Sequence, residues 1–196
     1  MTDALMTDVL MTDVLMTELV VVSVGTDHHP FDRLVGWIES WAAANLSVKV
    51  VVQHGTAAAP ANVESHELIP HDELRQLFSS AVAVVSHGGP STVMDARMAG
   101  KFPIVVPRDP ALGEHVDGHQ IRFADHLALH GLARLANSEA DFCAALDDAV
   151  ARPTEFSIPP HQLIAAAGVA KFGEVVDELL DISTHLALDP LEGIDD

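Results

Sequence analysis

The run from Val82 to Asp95 limits the fold more tightly than any other part of the chain, because it joins a buried strand to a helix start through two glycines. Val82-Ala-Val-Val85 is a short, β-branched apolar run of the kind that fills a parallel sheet. Gly88 and Gly89 let backbone approach a ligand, and Ser91 and Thr92 offer a helix cap and hydroxyls beside helical N–H groups that have no partner one turn back. The helix dipole favours an anion there without a basic residue. Asp95, one turn further on, places a carboxylate at the same mouth, where it can accept two hydrogen bonds from a vicinal diol such as a ribose. The alternative reading of these residues is a capped surface helix with an acidic first turn.

Along the rest of the chain strands and helices alternate. Strands are expected at 19–24, 48–53, 65–69, 82–85, 103–106 and 132–135. Helices are expected at 30–44 with Pro30 in the first turn, 70–80, 91–99, 117–130, and 138–151 with Ser138 as cap. This is an α/β pattern, a Rossmann-like parallel sheet with helices on both faces. In such sheets ligands collect beyond the carboxyl ends of the strands, and the segments Gly25-Thr26, His87–Thr92 and Arg108–Gln120 all follow strands.

The division expected is a repetitive tail at 1–18, a nucleotide-binding domain at 19–151, a Pro-rich connector at 152–160, a terminal helix at 161–183 and an acidic tail at 184–196. The tail repeats Met-Thr-Asp-x-Leu; a period of five advances about 140° per repeat on a helix, so no steady apolar stripe forms.

With 196 residues the chain has room for one such domain and its core, not two. A formal net charge of −19 opposes binding to nucleic acid or to an anionic membrane surface. The single cysteine, Cys143, falls in an apolar helical pattern and reads as a buried small hydrophobe, which fits a reducing, cytoplasmic setting. No apolar run approaches bilayer length, and the start lacks the basic and apolar regions of a signal peptide.

Three separated motifs carry a family resemblance. His87-x-Gly89-x-x-Thr92-x-x-Asp95, then Gly100-Lys-Phe-Pro-Ile-Val-Val-Pro-Arg108, then Gly113-Glu-His115-Val-Asp117-Gly-His119-Gln120 resemble the nucleotide-sugar site of GT-B glycosyltransferases of family 28, in their MurG-type C-terminal domain. The nearest likeness is to the split, Alg13-like subunits of bacterial exopolysaccharide synthesis, whose start Val20-Val-Val-Ser-Val-Gly25-Thr26 resembles. The likeness runs from about 19 to 136.

The resemblance implies a C-terminal half of a GT-B fold and a UDP-sugar as donor substrate, with no further cofactor. Gly25 and Thr26 approach the phosphates from one side, and His87, Gly88, Gly89, Ser91 and Thr92 hold them from the other. Asp95 binds the ribose, His119 and Gln120 meet the hydroxyls of the donor sugar, and Arg108 and His115 complete the donor site. Asp95 departs from the family, which mostly carries glutamate there, and Pro90 removes one N–H donor. The activity implied is an inverting hexosyl or N-acetylhexosaminyl transfer to a lipid-linked acceptor. That acceptor, and the general base, would come from a membrane-associated, Alg14-like partner subunit, leaving this chain cytoplasmic and peripheral to the membrane. Within the chain the base is left unassigned, with His28, beside His29 in the turn after the first strand, as the candidate.

Asp-x-Asp is absent, so no metal is implied; His115 and His119, at helical spacing, suggest zinc, but no third ligand stands out in the sequence. Two other classes remain. One is a non-catalytic nucleotide-binding subunit that stabilises or stimulates a separate transferase. The other, nicotinamide-dependent oxidoreduction, is disfavoured because Val24-Gly25-Thr26-Asp27-His28-His29 lacks the Gly-x-Gly-x-x-Gly turn.

Overall fold

The computed structural model describes residues 18–159, so the repeats up to residue 17, the expected helix at 161–183 and the acidic tail lie outside the described residues. Within them the alternating pattern yields a six-stranded, all-parallel sheet. Its strands are β1 (Leu19–Ser23), β2 (Lys49–Gln53), β3 (Glu64–His66), β4 (Ala83–His87), β5 (Ile104–Val106) and β6 (Arg134–Leu135), in the order β3-β2-β1-β4-β5-β6. Helices α1 (Asp32–Ala44), α2 (His71–Ser80), α3 (Pro90–Met98), α4 (His119–Leu129) and α5 (Glu139–Ala151) flank it.

Period-two alternation in the strands decides which layer each valine joins. Val20, Val22, Val50, Val52, Val85 and Val106 face α1 and α5, in one core with Leu34, Ile38, Phe142 and Leu146. Val21, Val51 and Val84 face the opposite way onto Leu74 and Phe78 of α2 and Ala96 of α3. Val105 packs with Phe123 and Leu127 of α4. Both faces of the central strands are therefore sealed, which is why they read as continuous apolar runs.

The strand order reverses between β1 and β4, which pair in parallel from Val20↔Ala83 to Ser23↔Ser86. The chain leaves these two neighbours toward opposite faces of the sheet and opens a crevice beyond their carboxyl ends.

Several boundaries differ from the sequence expectation for local reasons. α1 starts at Asp32, so Pro30 precedes the helix, and α4 starts at His119 behind Gly118. β4 runs on through Ser86 and His87, and α3 starts at Pro90, where the missing N–H costs nothing. The cap of α3 is Gly89, without a side-chain bond, so Ser91 and Thr92 are first-turn residues and not caps. The expected strand at 65–69 forms instead at Glu64–His66, leaving 67–70 as loop. Ser138 caps α5 as expected, its Oγ accepting from Asp141 N–H at 3.1 Å.

Residues 152–158 pack onto the domain. Pro153–Phe156 form a 3₁₀ turn, Phe156 and Ile158 are buried, and the backbone pairs at Phe102 N–H to Phe156 O (2.9 Å) and Ile158 N–H to Gly100 O (2.7 Å). Cys143 is half-buried at the edge of the α1/α5 core, and burial raises its thiol pKa.

Candidate nucleotide site

The crevice between β1 and β4 is a cleft of about 490 Å³. Gly25 and Thr26 line it from the β1 side, and His87, Gly89, Pro90, Ser91, Thr92 and Asp95 from the β4–α3 side. A third wall, Leu68, Ile69, Pro70, His71 and Leu74, comes from the loop and helix after β3.

The floor is a small buried polar frame. Gln53 Nε2 donates to Gly25 O (3.2 Å) and to Ser23 Oγ (3.3 Å), while its Oε1 accepts from Ile69 N–H (3.1 Å). One amide thus fixes the ends of β1 and β2 to the third wall. Ser23 Oγ also accepts from Gly25 N–H at 3.3 Å. Gly25 has φ +80°, a backbone conformation that suits glycine.

His87 occupies the space between the two glycine turns. A Cβ at Gly89 would lie 2.1 Å from His87 Nε2, and one at Gly25 would lie 2.4 Å from His87 Cε1. Burial, with the nearby Arg108 charge adding to it, lowers the His87 pKa from 6.5 to about 4. The imidazole is therefore neutral at physiological pH, and its Nδ1 has no hydrogen-bond partner among the described residues.

Asp95 lies on the inner face of α3, and its Oδ2 is 2.9 Å from His71 Nε2. His71 carries no local signal in the sequence; it reaches the cleft only because α2 packs on α3. Ser91 and Thr92 present first-turn N–H groups and hydroxyls beside Asp95, a set suited to an anion and a diol side by side.

Not every residue expected at this site is there. Gly88 does not line the cleft; it makes room for α4, since a Cβ there would lie 2.9 Å from Gln120 Cβ and Gln120 O. Gln120 is buried against it, with Oε1 facing Arg108 N–H at 3.4 Å rather than the cleft. Arg108 is completely buried beneath the loops, over the Phe31 ring at 4.8 Å. Its guanidinium donates to Val24 O (2.8 Å), His29 O (2.6 Å) and Glu114 O (3.0 Å). A planar fork of donors matches three carbonyls, so Arg108 ties the loop after β1 to the loop after β5. Arg33 does the same from α1, donating to both Glu114 carboxylate oxygens at 2.9 and 2.8 Å and to Pro107 O.

His28, His115 and His119 are also outside the cleft lining. The His28 side chain is 83% exposed, which leaves it solvated rather than poised as a base. His115 Nε2 faces Asp27 Oδ2 at 3.3 Å, and His119 Nδ1 is 2.5 Å from Asp117 Oδ1. Burial pushes the Asp27 pKa up, but bonds from the His29 backbone and ring, with Arg108 and His115 nearby, outweigh it and bring the value to about 2.

The chain is similar to known proteins in sequence and in fold. The model of the glycosyltransferase family 28 C-terminal domain matches residues 19–162. The UDP-N-acetylglucosamine--N-acetylmuramyl-(pentapeptide) pyrophosphoryl-undecaprenol N-acetylglucosamine transferase of Azotobacter vinelandii is 36% identical over 112 residues, 57% of this chain and 29% of that protein. The chain thus spans under a third of the length of this relative. Among solved structures, the calicheamicin glycosyltransferase CalG4 superposes with TM-score 0.53 at 19% identity, over 89% of this chain and 43% of that one. ALG13 superposes with TM-score 0.52 at 15% identity, over 84% of this chain and 97% of that one. At these identities the likeness is one of fold.

Proposed function

Because the chain belongs to the glycosyltransferase family 28 C-terminal domain family, we propose that the cleft between β1 and β4 is the donor site of a glycosyltransferase and takes a UDP-sugar. The observation that carries this is the convergence of Gly25, Thr26, Gly89, Ser91, Thr92 and Asp95 on one cleft at the reversal of strand order. The diphosphate sits on the first turn of α3, against the Ser91 and Thr92 N–H groups and hydroxyls. The ribose diol donates to the Asp95 carboxylate, and the nucleobase lies along Leu68, Ile69 and Pro70.

In the reaction an acceptor hydroxyl attacks the anomeric carbon from the face opposite the leaving group. The bond from that carbon to the diphosphate oxygen breaks, UDP departs with the electron pair, and the hydroxyl proton passes to a base. The α3 N-terminus stabilises the charge that grows on the leaving diphosphate. No side chain lining the cleft is assigned as the base.

We assign that base and the acceptor site to a membrane-associated, Alg14-like subunit that presents a lipid-linked sugar, in exopolysaccharide or related glycan synthesis, with hexose or N-acetylhexosamine as the transferred group. The fold likeness to ALG13 supports this reading. Among the described residues no helix is long and apolar enough to cross a membrane, which accords with attachment through the partner from the cytoplasmic side.

The test is thermal melting of the purified chain with UDP, GDP, ADP and NAD, beside Asp95→Ala. A ligand at a hundred times its Kd adds about 2.7 kcal/mol, a rise of several degrees. The expected result is a rise with UDP that Asp95→Ala cuts to about half or less; a rise with NAD alone would overturn the donor-site reading. Reconstitution with the partner then separates catalysis from support. Transfer that needs both chains fits the proposal, whereas a partner fully active alone makes this chain an accessory nucleotide-binding subunit.

A further inference from the structure

The turn that enters α4 gathers histidine and aspartate side chains that the nucleotide cleft does not use. His115, Asp117 and His119 each offer one ligand atom, and these atoms lie within 4.8 Å of one another. His115 Nδ1 is 3.9 Å from Asp117 Oδ1, and His119 Nδ1 is hydrogen-bonded to the same oxygen at 2.5 Å, so an ion bound there displaces the proton of that bond. Adjacent ligands of a tetrahedral zinc ion stand about 3.3 Å apart, given metal–ligand distances near 2 Å. Closing these atoms onto one ion therefore takes changes of about 0.6 and 0.8 Å along the edges to Asp117. The sequence suggested no third ligand because His115 and His119 looked like neighbours on a helix. In the structure α4 begins only at His119, and the preceding turn brings Asp117 between them.

The surroundings of His115 favour the tautomer that a metal needs. Its Nε2 lies 3.3 Å from Asp27 Oδ2, a neighbour that favours the proton on that nitrogen. Its Nδ1 accepts from Asp117 N–H at 3.4 Å, so its lone pair points at the turn that carries Asp117. A carboxylate behind the imidazole, fixing its ring orientation, is the usual support of a histidine that binds metal. Asp27 is itself held by His29, whose backbone N–H and ring nitrogen lie 2.8 and 2.6 Å from Oδ1. Asp117 also accepts from His119 N–H at 2.9 Å, which fixes the first residue of the helix.

We propose that His115 Nδ1, Asp117 Oδ1 and His119 Nδ1 bind a divalent transition metal, zinc first, with Asp27 as the supporting carboxylate of His115 and the fourth position open to water. Two imidazoles and one carboxylate suit zinc over magnesium or calcium, which prefer all-oxygen sets. The neighbouring group Asp27, His28 and His29 is the competitor, and a variant at His28, which belongs to that group alone, tells the two apart. Asp117 and His119 are exposed, so an ion reaches them from solution.

The test uses the full chain, stripped with a chelator and titrated with Co²⁺ as a visible probe, then with Zn²⁺ as competitor. One equivalent of Co²⁺ should give d–d absorption that Zn²⁺ abolishes. His119→Ala should remove that signal and His28→Ala should leave it intact, with thermal melts showing that both variants remain folded. Asp27→Asn should weaken binding by about 10–100-fold. The site is refuted if the wild-type chain takes up no stoichiometric Co²⁺, if His119→Ala retains the bands, or if His28→Ala loses them. Nucleotide-dependent melting is read separately, so failure here leaves the donor-site reading to its own test.

Discussion

The ring of His87 stands where a side chain on Gly89 would have to go: a Cβ there would come within 2.1 Å of Nε2. The glycine turn is thus required by a buried histidine of the strand before it, as well as by any ligand in front of it. Gly89 has φ −86°, so its backbone would accept alanine and the obstacle is steric alone. Gly89→Ala should cost about 1–3 kcal/mol, and in a His87→Ala background most of that cost should vanish. A double-mutant cycle by urea unfolding measures the coupling; strict additivity would show that His87 is not the obstacle.

His87 also sets a pH dependence. Its pKa falls from 6.5 unfolded to about 4 folded, because burial penalises the imidazolium. Between those values the folded state binds fewer protons than the unfolded one, so stability rises with pH and is lost as pH drops from about 6.5 toward 4. The full effect approaches about 3 kcal/mol. Unfolding free energies of wild type and His87→Gln across that window should diverge, with the variant showing the flatter curve.

Asp95 and His71 should differ in weight when nucleotide binding is measured. Asp95→Ala removes a charged acceptor and should weaken UDP binding by about 10–100-fold, as expected for 1.5–3 kcal/mol. His71→Ala removes an exposed partner of that carboxylate, and such pairs contribute about 0.2–1 kcal/mol, so the loss should stay within about fivefold. Calorimetric titration with UDP distinguishes them; equal effects would mean that His71 contacts the ligand itself.

Arg108 is expected to behave as a structural residue. Arg108→Met leaves the carbonyls of Val24, His29 and Glu114 without their donor, and each buried acceptor so stranded costs about 1–3 kcal/mol. Arg108→Lys should rescue little, because one ammonium cannot span three diverging carbonyls. Thermal melts of both variants should fall well below wild type; an unchanged melt with lost UDP binding would return Arg108 to the donor site.

Much of the scaffold was legible because its signals are local. β-branched runs marked the central strands, and the Val82–Asp95 junction marked the cleft, since a strand, a glycine turn and a helix start are all encoded within fourteen residues. What escaped was long-range. His71 meets Asp95 across 24 positions, and Gln53 meets Ile69 across 16, with nothing nearby in the sequence to announce either contact. Arg108, Gln120 and Gly88 were read as ligand-facing because they sit in motifs beside the site. The structure turns them inward, since a guanidinium with three carbonyl partners and an amide packed on a glycine can be buried. Helix starts slipped by one or two residues wherever Pro30, Pro90 or Gly118 could serve equally well before or inside the first turn.

The two helical layers communicate almost wholly through the sheet, with α1 and α5 on one side and α2, α3 and α4 on the other. The cleft is an exception, because its β1 wall leads into α1 while its opposite wall is the start of α3. A molecule held between Thr26 and Ser91 fastens these layers together at one end. Its imprint on amide exchange would then extend well beyond the atoms it touches, slowing the opening of both layers at once.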